Sequence, residues 1–306
     1  MLILFIKKQL SKFKFLYIIK DYFSIPKLEK VITSFLPECN CIDVGASYFE
    51  HSKWRVFLES KKTNWIAVDP NAHNLTYLKN WRWKSKLRVV DQGLSQHGGE
   101  VMLYVTNIDS GSSIKKPKLP DSMKLRIDNE SYFFPYKEKK IITKSLKTLI
   151  EENYNPNPFF IKLDTQGTEL DILKGADLFF KKFQILGVEL ETCLLAQPCY
   201  ENANKFADVM NFFEEKGYEL ININVFDLYS ATNDTSSNNF FPNETDVVFL
   251  PRLDVIKGLP LNYKLSIIGF MYSYKLYNQI KYLISHNLDL KQELSSRQIN
   301  LQKLIK

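Results

Sequence analysis

Residues 160–175 contain the polar side chains of this sequence that are best placed for chemistry. An apolar strand ends at Asp164, and an amphipathic helix begins at Thr168 after a short polar turn. In an open α/β sheet, the carboxyl ends of the strands line the ligand crevice. We therefore expect Asp164, Gln166 and Glu169 to lie in a functional site, although a capped strand–helix turn alone would show the same pattern.

A second segment, residues 42–47, ends the first predicted strand with Gly45, where the backbone can approach a ligand closely. Asp69 ends the next strand, and this layout is typical of a site for an adenosine ribose, whose hydroxyl groups donate to the acid. A dinucleotide site requires further glycines for its pyrophosphate, and Phe49 occupies one of those positions. Asp43 can accept a bond from a ligand amine, directly or through water. The pattern therefore favours S-adenosylmethionine over NAD.

Strands and helices alternate from residue 39 onward, which predicts a mostly parallel sheet with helices on both faces. The predicted strands are Cys41–Val44, Trp65–Asp69, Leu87–Asp91, Glu100–Thr106, Phe159–Asp164, Leu186–Glu191, Tyr218–Val225 and Asp246–Leu250. Helices are predicted over 51–60 and 202–216, and Gly98-Gly99 indicates the turn of a hairpin that includes 100–106. The loop 229–243 has no helical pattern, which favours one antiparallel pair at the edge of the sheet.

The 306-residue chain has a net charge of +7 and room for one large α/β domain with appendages. Residues 1–38 are basic and aromatic and predict a helical segment, although its lysines form no clean polar face. This segment is interpreted either as a helix that docks on the domain or as a contact with a membrane surface. Because no secretory leader or transmembrane stretch is evident, we expect a cytoplasmic protein, with association at the inner membrane surface as a further expectation.

The helical tail, residues 252–306, contains nine positions spaced alternately by three and four residues, of which seven are apolar. These positions are Leu276, Ile280, Leu283, Asn287, Leu290, Leu294, Arg297, Leu301 and Leu304. The spacing predicts a heptad seam, with Asn287 at a position that can fix register and oligomer state. We predict a self-associating coiled coil over 276–304 and hence a homo-oligomer. A single amphipathic helix packed on its own domain is the alternative.

Six motifs over about residues 39–251 occur in the order and spacing of one known family. They are Asp43-Val-Gly-Ala-Ser47, Asp69-Pro70-Asn71, Gly93-Leu-Ser95 followed by Gly99-Glu-Val101, Gly111-Ser-Ser113, Ile161–Glu169 and Gly187–Glu191. In these motifs the chain resembles the FkbM family of S-adenosylmethionine-dependent methyltransferases. The resemblance implies a class I, Rossmann-like, seven-stranded sheet in the order 3-2-1-4-5-7-6. It also implies O-methylation of a hydroxyl group, often on a sugar or a polyketide-type molecule.

The motifs and the strand pattern together indicate the site residues. The residues expected to bind the cofactor are Asp43, Gly45, Ser47, Asp69, Pro70, Asp91 and Gly93. Asp164 is the predicted general base, because a neutral hydroxyl nucleophile must lose its proton. We expect only one of Glu189 and Glu191 on the next strand to face the crevice, and we assign Glu189 as the second catalytic residue because it carries the family motif.

We expect acceptor recognition in the insertion 107–140, where Tyr132 and Tyr136 stand among seven lysines. Aromatic rings stack on sugars or bases, and lysines attract phosphates or carboxylates. A solvated basic loop with some aromatic residues packed inward is the alternative. The other residues expected to contact the acceptor or to orient the site are Lys162, Gln166 and Glu169.

The leading hypothesis is a sugar O-methyltransferase that acts on a cell-surface glycan or its precursor. Phe49 departs from the family and can narrow the cofactor pocket, which motivates a non-catalytic interaction protein as one alternative. An RNA methyltransferase is the other, suggested by the basic charge, but no RNA-binding module is recognisable. We expect a carbohydrate partner rather than nucleic acid. No metal site is predicted, because the four histidines are scattered, although a cation bound by Asp164 and nearby acids stays open.

Overall fold

The computed structural model describes residues 27–107, 109–118, 135–153, 155–194, 198–226, 244–297 and 299. The helix and the membrane-surface contact predicted for the N-terminal segment therefore fall outside the described residues, except for the short helix that begins at Lys27. Within the described residues, no helix is both long and apolar enough to cross a membrane.

Ten strands form two sheets. In chain order they are β1 (Cys39–Val44), β2 (Thr63–Val68), β3 (Lys86–Val90), β4 (Gly93–Leu94), β5 (Gly99–Thr106), β6 (Pro135–Lys144), β7 (Phe159–Leu163), β8 (Ile185–Cys193), β9 (Tyr218–Phe226) and β10 (Glu244–Pro251). The main sheet has seven strands in the order β3-β2-β1-β7-β8-β10-β9. Numbered among themselves, these strands follow the predicted order 3-2-1-4-5-7-6.

The main sheet is parallel except at β10, which pairs antiparallel with both β8 and β9. The sequence predicted one antiparallel pair at the edge of the sheet, and the β9–β10 pair confirms it. The edge strand is β9, and β10 inserts between β9 and β8. Loop length alone predicts that β9 and β10 pair, but it does not show on which side the returning strand lies.

The small sheet has the order β4-β6-β5, in which β6 pairs antiparallel with β5 and parallel with β4. The sequence predicted a hairpin turn at Gly98-Gly99, but the strands on its two sides do not pair with each other. Their common partner is β6, which comes from the far end of the insertion 107–140. This part of the insertion is therefore a strand and not an irregular loop.

Helices cover both faces of the main sheet, as predicted. They are α1 (Lys27–Phe35), α2 (Arg55–Leu58), α3 (Leu146–Glu152), α4 (Glu169–Lys174), α5 (Asp177–Lys181), α6 (Phe206–Glu215), α7 (Leu253–Gly258), α8 (Leu261–Ser273), α9 (Tyr277–Ser285) and α10 (Leu288–Ser296), with 3-10 turns at Ser52–Trp54, Thr76–Asn80 and Asp109–Gly111. Helices α3 to α6 enclose one apolar core, and α1, α2 and α7 to α10 enclose the other.

Helix α8 packs directly on the sheet. The ring of Phe270 stacks on Phe160 of β7 at 5.0 Å between centroids. Gly187 of β8 leaves room for this contact, because a Cβ there would lie 2.8 Å from the same two rings. The tail therefore completes the second core of the α/β domain instead of extending away from it.

The coiled-coil prediction is wrong over the described part of the tail. The chain forms two nine-residue helices, α9 and α10, and Asn287 between them donates from Nδ2 to the carbonyl of Leu283 at 2.7 Å. The apolar seam residues that are buried in the core of their own domain are Ile280, Leu283, Leu290 and Leu294. Each short helix turns its apolar face to that core, which produces the same spacing as a heptad seam. Leu301 and Leu304 lie outside the described residues.

Candidate active site

The carboxyl ends of β1, β2 and β7 open into a cleft of about 270 Å³, which the small sheet closes on its far side. Parallel strands end at one edge of a sheet, so the polar residues that follow them meet there. The predicted residues that line this cleft are Gly45, Ser47, Asp69, Pro70, Gly93, Asp164 and Gln166. Most of the predicted cofactor site is therefore assembled in one place.

Gly45 connects the first strand to the cleft in a left-handed conformation, with φ +76°. A Cβ at this position would lie 2.0 Å from the carbonyl oxygen of Asp164, so only glycine fits between the ends of β1 and β7. The hydroxyl of Ser47 in the same loop is buried and has no hydrogen-bond partner. An unpaired buried hydroxyl is costly, and a ligand in the cleft would satisfy it.

Asp69 presents a carboxylate at the end of β2. Its Oδ1 accepts bonds from the backbone of Asn71 at 2.7 Å and from the side chain of Asn74 at 3.4 Å. Burial raises the pKa of Asp69 to about 6, against the lowering effect of these two bonds. Because both bonds use Oδ1, Oδ2 is the oxygen available to the hydroxyl groups of a ribose.

Two predicted cofactor residues do not line the cleft. Asp43 is 1% exposed, and its Oδ1 lies 3.5 Å from Nζ of Lys162, its cross-strand neighbour on β7. Both side chains lie on the same face of the sheet below the cleft, so Asp43 positions Lys162. Asp91 is exposed and falls outside the lining, because β3 ends one residue earlier at Val90.

Asp164 is the most accessible carboxylate at the end of β7, with 45% of its side chain exposed. Its Oδ2 lies 3.4 Å from Nζ of Lys162, and its Oδ1 accepts a bond from Nε2 of Gln166 at 3.0 Å. Lys162 also donates to the carbonyl of Gly45 at 3.3 Å. Lys162 and Gln166 thus act as positioning residues for the carboxylate.

The turn after β7 is strained, because Gln166 and Gly167 both have positive φ, +58° and +96°. Side-chain bonds stabilise it: Gln166 donates to Glu191 at 2.8 Å and accepts from the hydroxyl of Tyr200 at 3.0 Å. Backbone strain of this kind is concentrated at functional sites. The turn holds the amide of Gln166 between the cleft and the end of β8.

Glu169 has a structural role in this turn and does not line the cleft. It is 3% exposed, and its Oε1 accepts bonds from the backbone of Thr165 at 2.7 Å and of Gly167 at 3.2 Å. Burial raises the pKa of Glu169, and these backbone donors oppose that effect. The prediction that Glu169 orients the site is consistent with this geometry, whereas direct acceptor contact is not.

Glu189, predicted as catalytic, lies outside the cleft and is 2% exposed. Its carboxylate contacts Nζ of Lys53, Nε2 of His51 and the hydroxyl of Tyr274, each at 2.5 Å. Burial would raise its pKa, but His51 and Lys53 outweigh this effect and lower the pKa to about 2. The structure therefore does not bring Glu189 to the cleft as the sequence predicted, and the bond to Tyr274 anchors α8 to the sheet.

The family motif did not separate Glu189 from Glu191. The two residues are two apart on one strand and share a face, so strand alternation does not decide between them either. The structure places Glu191 nearer the carboxyl end, where it lines a separate recess of about 20 Å³ with Gln166. Burial and the neighbouring carboxylates of Asp164 and Glu244 raise the pKa of Glu191.

The insertion contributes a wall of the cleft. Its lining residues are Ser112 and Ser113 of the Gly111 motif, Lys137 and Lys139 of the seven lysines, and three residues that the sequence did not single out, Asp109, Ser110 and Ile114. Asp109 accepts a bond from the hydroxyl of Tyr48 at 2.6 Å, which joins this wall to the Gly45 loop. Tyr132 and the side chain of Tyr136 lie outside the described residues.

Phe49 does not close the cleft. Its side chain is 62% exposed and is not part of the lining, because the loop turns outward at Tyr48, which has φ +64°. Within the described residues, no three His, Cys, Asp or Glu side chains are grouped as metal ligands. The site therefore consists of the Gly45 loop, Asp69, Asp164 and the wall from the small sheet.

The strand order and the cleft define a class I, Rossmann-like methyltransferase. A model of the methyltransferase FkbM domain matches residues 43–220, which is more than half of the chain. The chain therefore belongs to the FkbM methyltransferase family, and its cofactor is S-adenosylmethionine. No curated protein matches the sequence significantly.

Solved structures with a similar arrangement include other methyltransferases. One is the precorrin-6y C5,15-methyltransferase from Geobacter metallireducens, at 11% identity and a TM-score of 0.33 over 72% of this chain and 85% of that chain. Another is an S-adenosylmethionine-dependent methyltransferase from Anabaena variabilis, at 11% identity and a TM-score of 0.31 over 71% and 77%. These likenesses are distant, and the assignment rests on the family match.

Proposed function

We propose that the protein transfers a methyl group from S-adenosylmethionine to a hydroxyl group of a sugar, in a cell-surface glycan or its precursor. The observation that supports O-methylation is the half-exposed carboxylate of Asp164 at the cleft, held on both oxygens by Lys162 and Gln166. A neutral hydroxyl needs such a base, because it is a poor nucleophile until its proton is removed.

The cleft fits the cofactor in three respects. Asp69 has an oxygen for the ribose hydroxyl groups, the Ser47 hydroxyl needs a partner, and the bare backbone at Gly45 allows close approach. Bound S-adenosylmethionine supplies an electrophilic methyl group on a positively charged sulfur. The carboxylates of Asp69 and Asp164 give the lining a charge that favours this cation.

The reaction requires little beyond positioning and one proton transfer. The acceptor oxygen forms its bond to the methyl carbon as the carbon–sulfur bond breaks, and the bonding pair stays on sulfur. The hydroxyl proton passes to a carboxylate oxygen of Asp164. Lys162 and Gln166 hold that carboxylate at the end of β7 during the proton transfer.

A sugar acceptor is supported by the polar lining that the insertion supplies. The hydroxyl of Ser113 bonds to the backbone of Gln166 and Lys115, but the exposed Ser110 lines the cleft beside Asp109. Hydroxyl and carboxylate groups of this kind hydrogen-bond the hydroxyls of sugars. The side chain of Phe49 is exposed and lies outside the lining, which favours a catalytic protein over a non-catalytic one.

The test is transfer of a labelled methyl group from S-adenosylmethionine to a panel of purified glycans, sugar nucleotides and RNA. We expect label in the carbohydrate fraction as an alkali-stable methyl ether. Label in RNA alone would contradict the proposal. Label in no acceptor, with cofactor binding intact, would contradict the carbohydrate part of the proposal.

A further inference from the structure

We propose that the acceptor is anionic and that Lys137 and Lys139 of β6 bind its phosphate or carboxylate group. This inference rests on the proposed function, since it names the chemical class of the acceptor in the same cleft. Three observations support it: the register of the small sheet, the ion pairs formed by the other lysines of β6, and the distribution of charge around the cleft.

The register directs both lysines to the cleft. They are two residues apart on β6 and therefore share a face. Their cross-strand partners on β5 are Val105 for Lys137 and Leu103 for Lys139. All four residues line the cleft, so one continuous face of the small sheet forms its wall.

The other lysines of β6 are used in ion pairs. Lys140 lies 2.7 Å from Glu100, and Lys144 lies 2.7 Å from Glu152. Lys137 and Lys139 have no acidic partner among the described residues. Two like charges on neighbouring positions of one face repel each other, and a bound anion relieves that repulsion.

The charges around the cleft are divided between its two sides. Asp69 and Asp164 lie at the edge of the main sheet, where they suit a cationic sulfonium. The lysines lie on the wall from the small sheet, and Asp109, which also lines the cleft, is bonded to the Tyr48 hydroxyl. A cofactor on the acidic side therefore leaves the basic side to a second, negatively charged ligand.

Distance along the strand separates the two ligands further. Gly93, expected beside the adenosine, pairs with Thr143 of β6. At about 3.4 Å per residue, Lys139 is about 14 Å and Lys137 about 20 Å farther along the strand. The lysines therefore lie towards the end of the wall that is remote from the adenosine.

The experiment measures binding of three probes to protein saturated with S-adenosylhomocysteine, which prevents turnover. Calorimetry is carried out with glucose 1-phosphate, glucuronate and the neutral methyl glucoside. The variants are Lys139→Gln, the double Lys137→Gln/Lys139→Gln, and the control Lys140→Gln. The control removes the same charge from the adjacent residue, which lies on the other face and is paired with Glu100.

We expect at least one anionic probe to bind more tightly than methyl glucoside. That affinity should fall about tenfold in Lys139→Gln and further in the double variant, and stay within about twofold in Lys140→Gln. The relative affinities of the sugar phosphate and the uronate identify which anion the site prefers.

Equal binding of charged and neutral probes would overturn the inference, and so would equal losses in Lys139→Gln and Lys140→Gln. Loss of S-adenosylhomocysteine affinity in the double variant would assign the lysines to the cofactor and also overturn it. Failure of the intact protein to bind any cofactor would instead contradict the proposed function. The two failures are therefore distinguishable.

Discussion

Three acids of the site region have three separate roles that their burial and partners define. Asp69 is buried at the cleft with one free oxygen, Asp164 is half-exposed at the cleft, and Glu189 is enclosed in an ion-pair cluster below it. Burial raises the pKa of Asp69 to about 6, whereas at Glu189 the contacts with His51 and Lys53 outweigh burial and lower the pKa to about 2. We therefore expect the same functional group to serve recognition at Asp69, proton transfer at Asp164 and packing at Glu189.

Asp164→Asn tests the base directly. The amide cannot take a proton but can keep the contacts of the side chain, so we expect kcat to fall by about 10²–10⁴-fold. The dissociation constant for S-adenosylmethionine should change by less than about threefold, because the proposed cofactor contacts remain. Asp254→Asn, which alters an acid that is 72% exposed, is the matched control. Full activity in Asp164→Asn would assign the proton transfer to another group.

Glu189→Gln tests the structural role of Glu189. We expect unfolding free energy to fall by about 3 kcal/mol in denaturant titrations, because the cluster with Lys53 and His51 loses its negative charge. Its folded pKa of about 2 lies below the ordinary 4.5. The wild-type contribution is therefore complete above about pH 4.5 and is lost as the pH falls towards 2.

The variant should accordingly be less stable than the wild type at pH 7 and should approach it near pH 2. Glu151→Gln on the exposed side of α3 is the control. A large loss of kcat in Glu189→Gln protein that remains fully folded and stable would restore the catalytic assignment.

For single residues, the motifs predicted the parts of the site that depend on backbone position. Gly45, Asp69 and Asp164 were found because they end strands, and strand ends meet in any parallel sheet. Asp43 and Glu189 were misplaced because a motif does not show whether a side chain lies at the cleft or beneath it. Lys137 and Lys139 are two of the seven lysines of the insertion, and only the pairing of β6 shows that these two line the cleft.

Among the elements, the contact between the ends of β1 and β7 is the tightest at the site. The close approach of Gly45 to the carbonyl of Asp164 fixes the Gly45 loop against the proposed general base. The strained turn at Gln166 is held on its other side by Tyr200 and Glu191. Both connections depend on conformations that few residues can adopt.

Gly45→Ala and Gly99→Ala separate this contact from simple backbone strain. Both glycines have positive φ, but a Cβ at Gly99 would have nothing within 4 Å, whereas at Gly45 it would meet the Asp164 carbonyl at 2.0 Å. We expect Gly99→Ala to cost about 1 kcal/mol of unfolding free energy and to keep cofactor binding. Gly45→Ala should lose cofactor binding by more than about 100-fold. Equal effects in calorimetric titrations would show that the contact is unimportant.

The elements themselves were largely predictable, because alternating apolar strands and amphipathic helices have clear periods. The strand β6 was missed as part of an insertion rich in lysine. The lysines on one face of β6 form ion pairs and those on the other face line the cleft, so β6 shows no simple alternation of apolar and polar residues. Because β6 was missed, the predicted pairing of β5 was also wrong.

For the whole molecule, the main departure from expectation is the tail. The buried residues of α8, α9 and α10 form part of one core with α1 and α2, so the tail belongs to the domain. A period of three and four residues is shared by a coiled coil and by short helices that pack on a sheet. The two arrangements differ in whether the sheet has a face that the tail can cover, and the sequence of the tail does not show this.

Leu283→Ala tests this account of the tail. Leu283 is 0% exposed, and its truncation should lower the unfolding free energy by about 2–4 kcal/mol. Because the contact is within one chain, the loss should not depend on protein concentration. Tyr282→Ala, at a residue that is 43% exposed, is the control and should have a smaller effect. A midpoint that rises with concentration in the wild type and not in Leu283→Ala would indicate self-association through this residue.

The central claim is that the cleft at the ends of β1, β2 and β7 binds S-adenosylmethionine through Asp69. Calorimetric titration of the intact protein, of Asp69→Ala and of Asp91→Ala tests it most directly, because Asp91 is an exposed acid outside the cleft. The account predicts saturable one-to-one binding that Asp69→Ala abolishes and Asp91→Ala leaves unchanged. No binding to the intact protein, or equal losses in both variants, would contradict it.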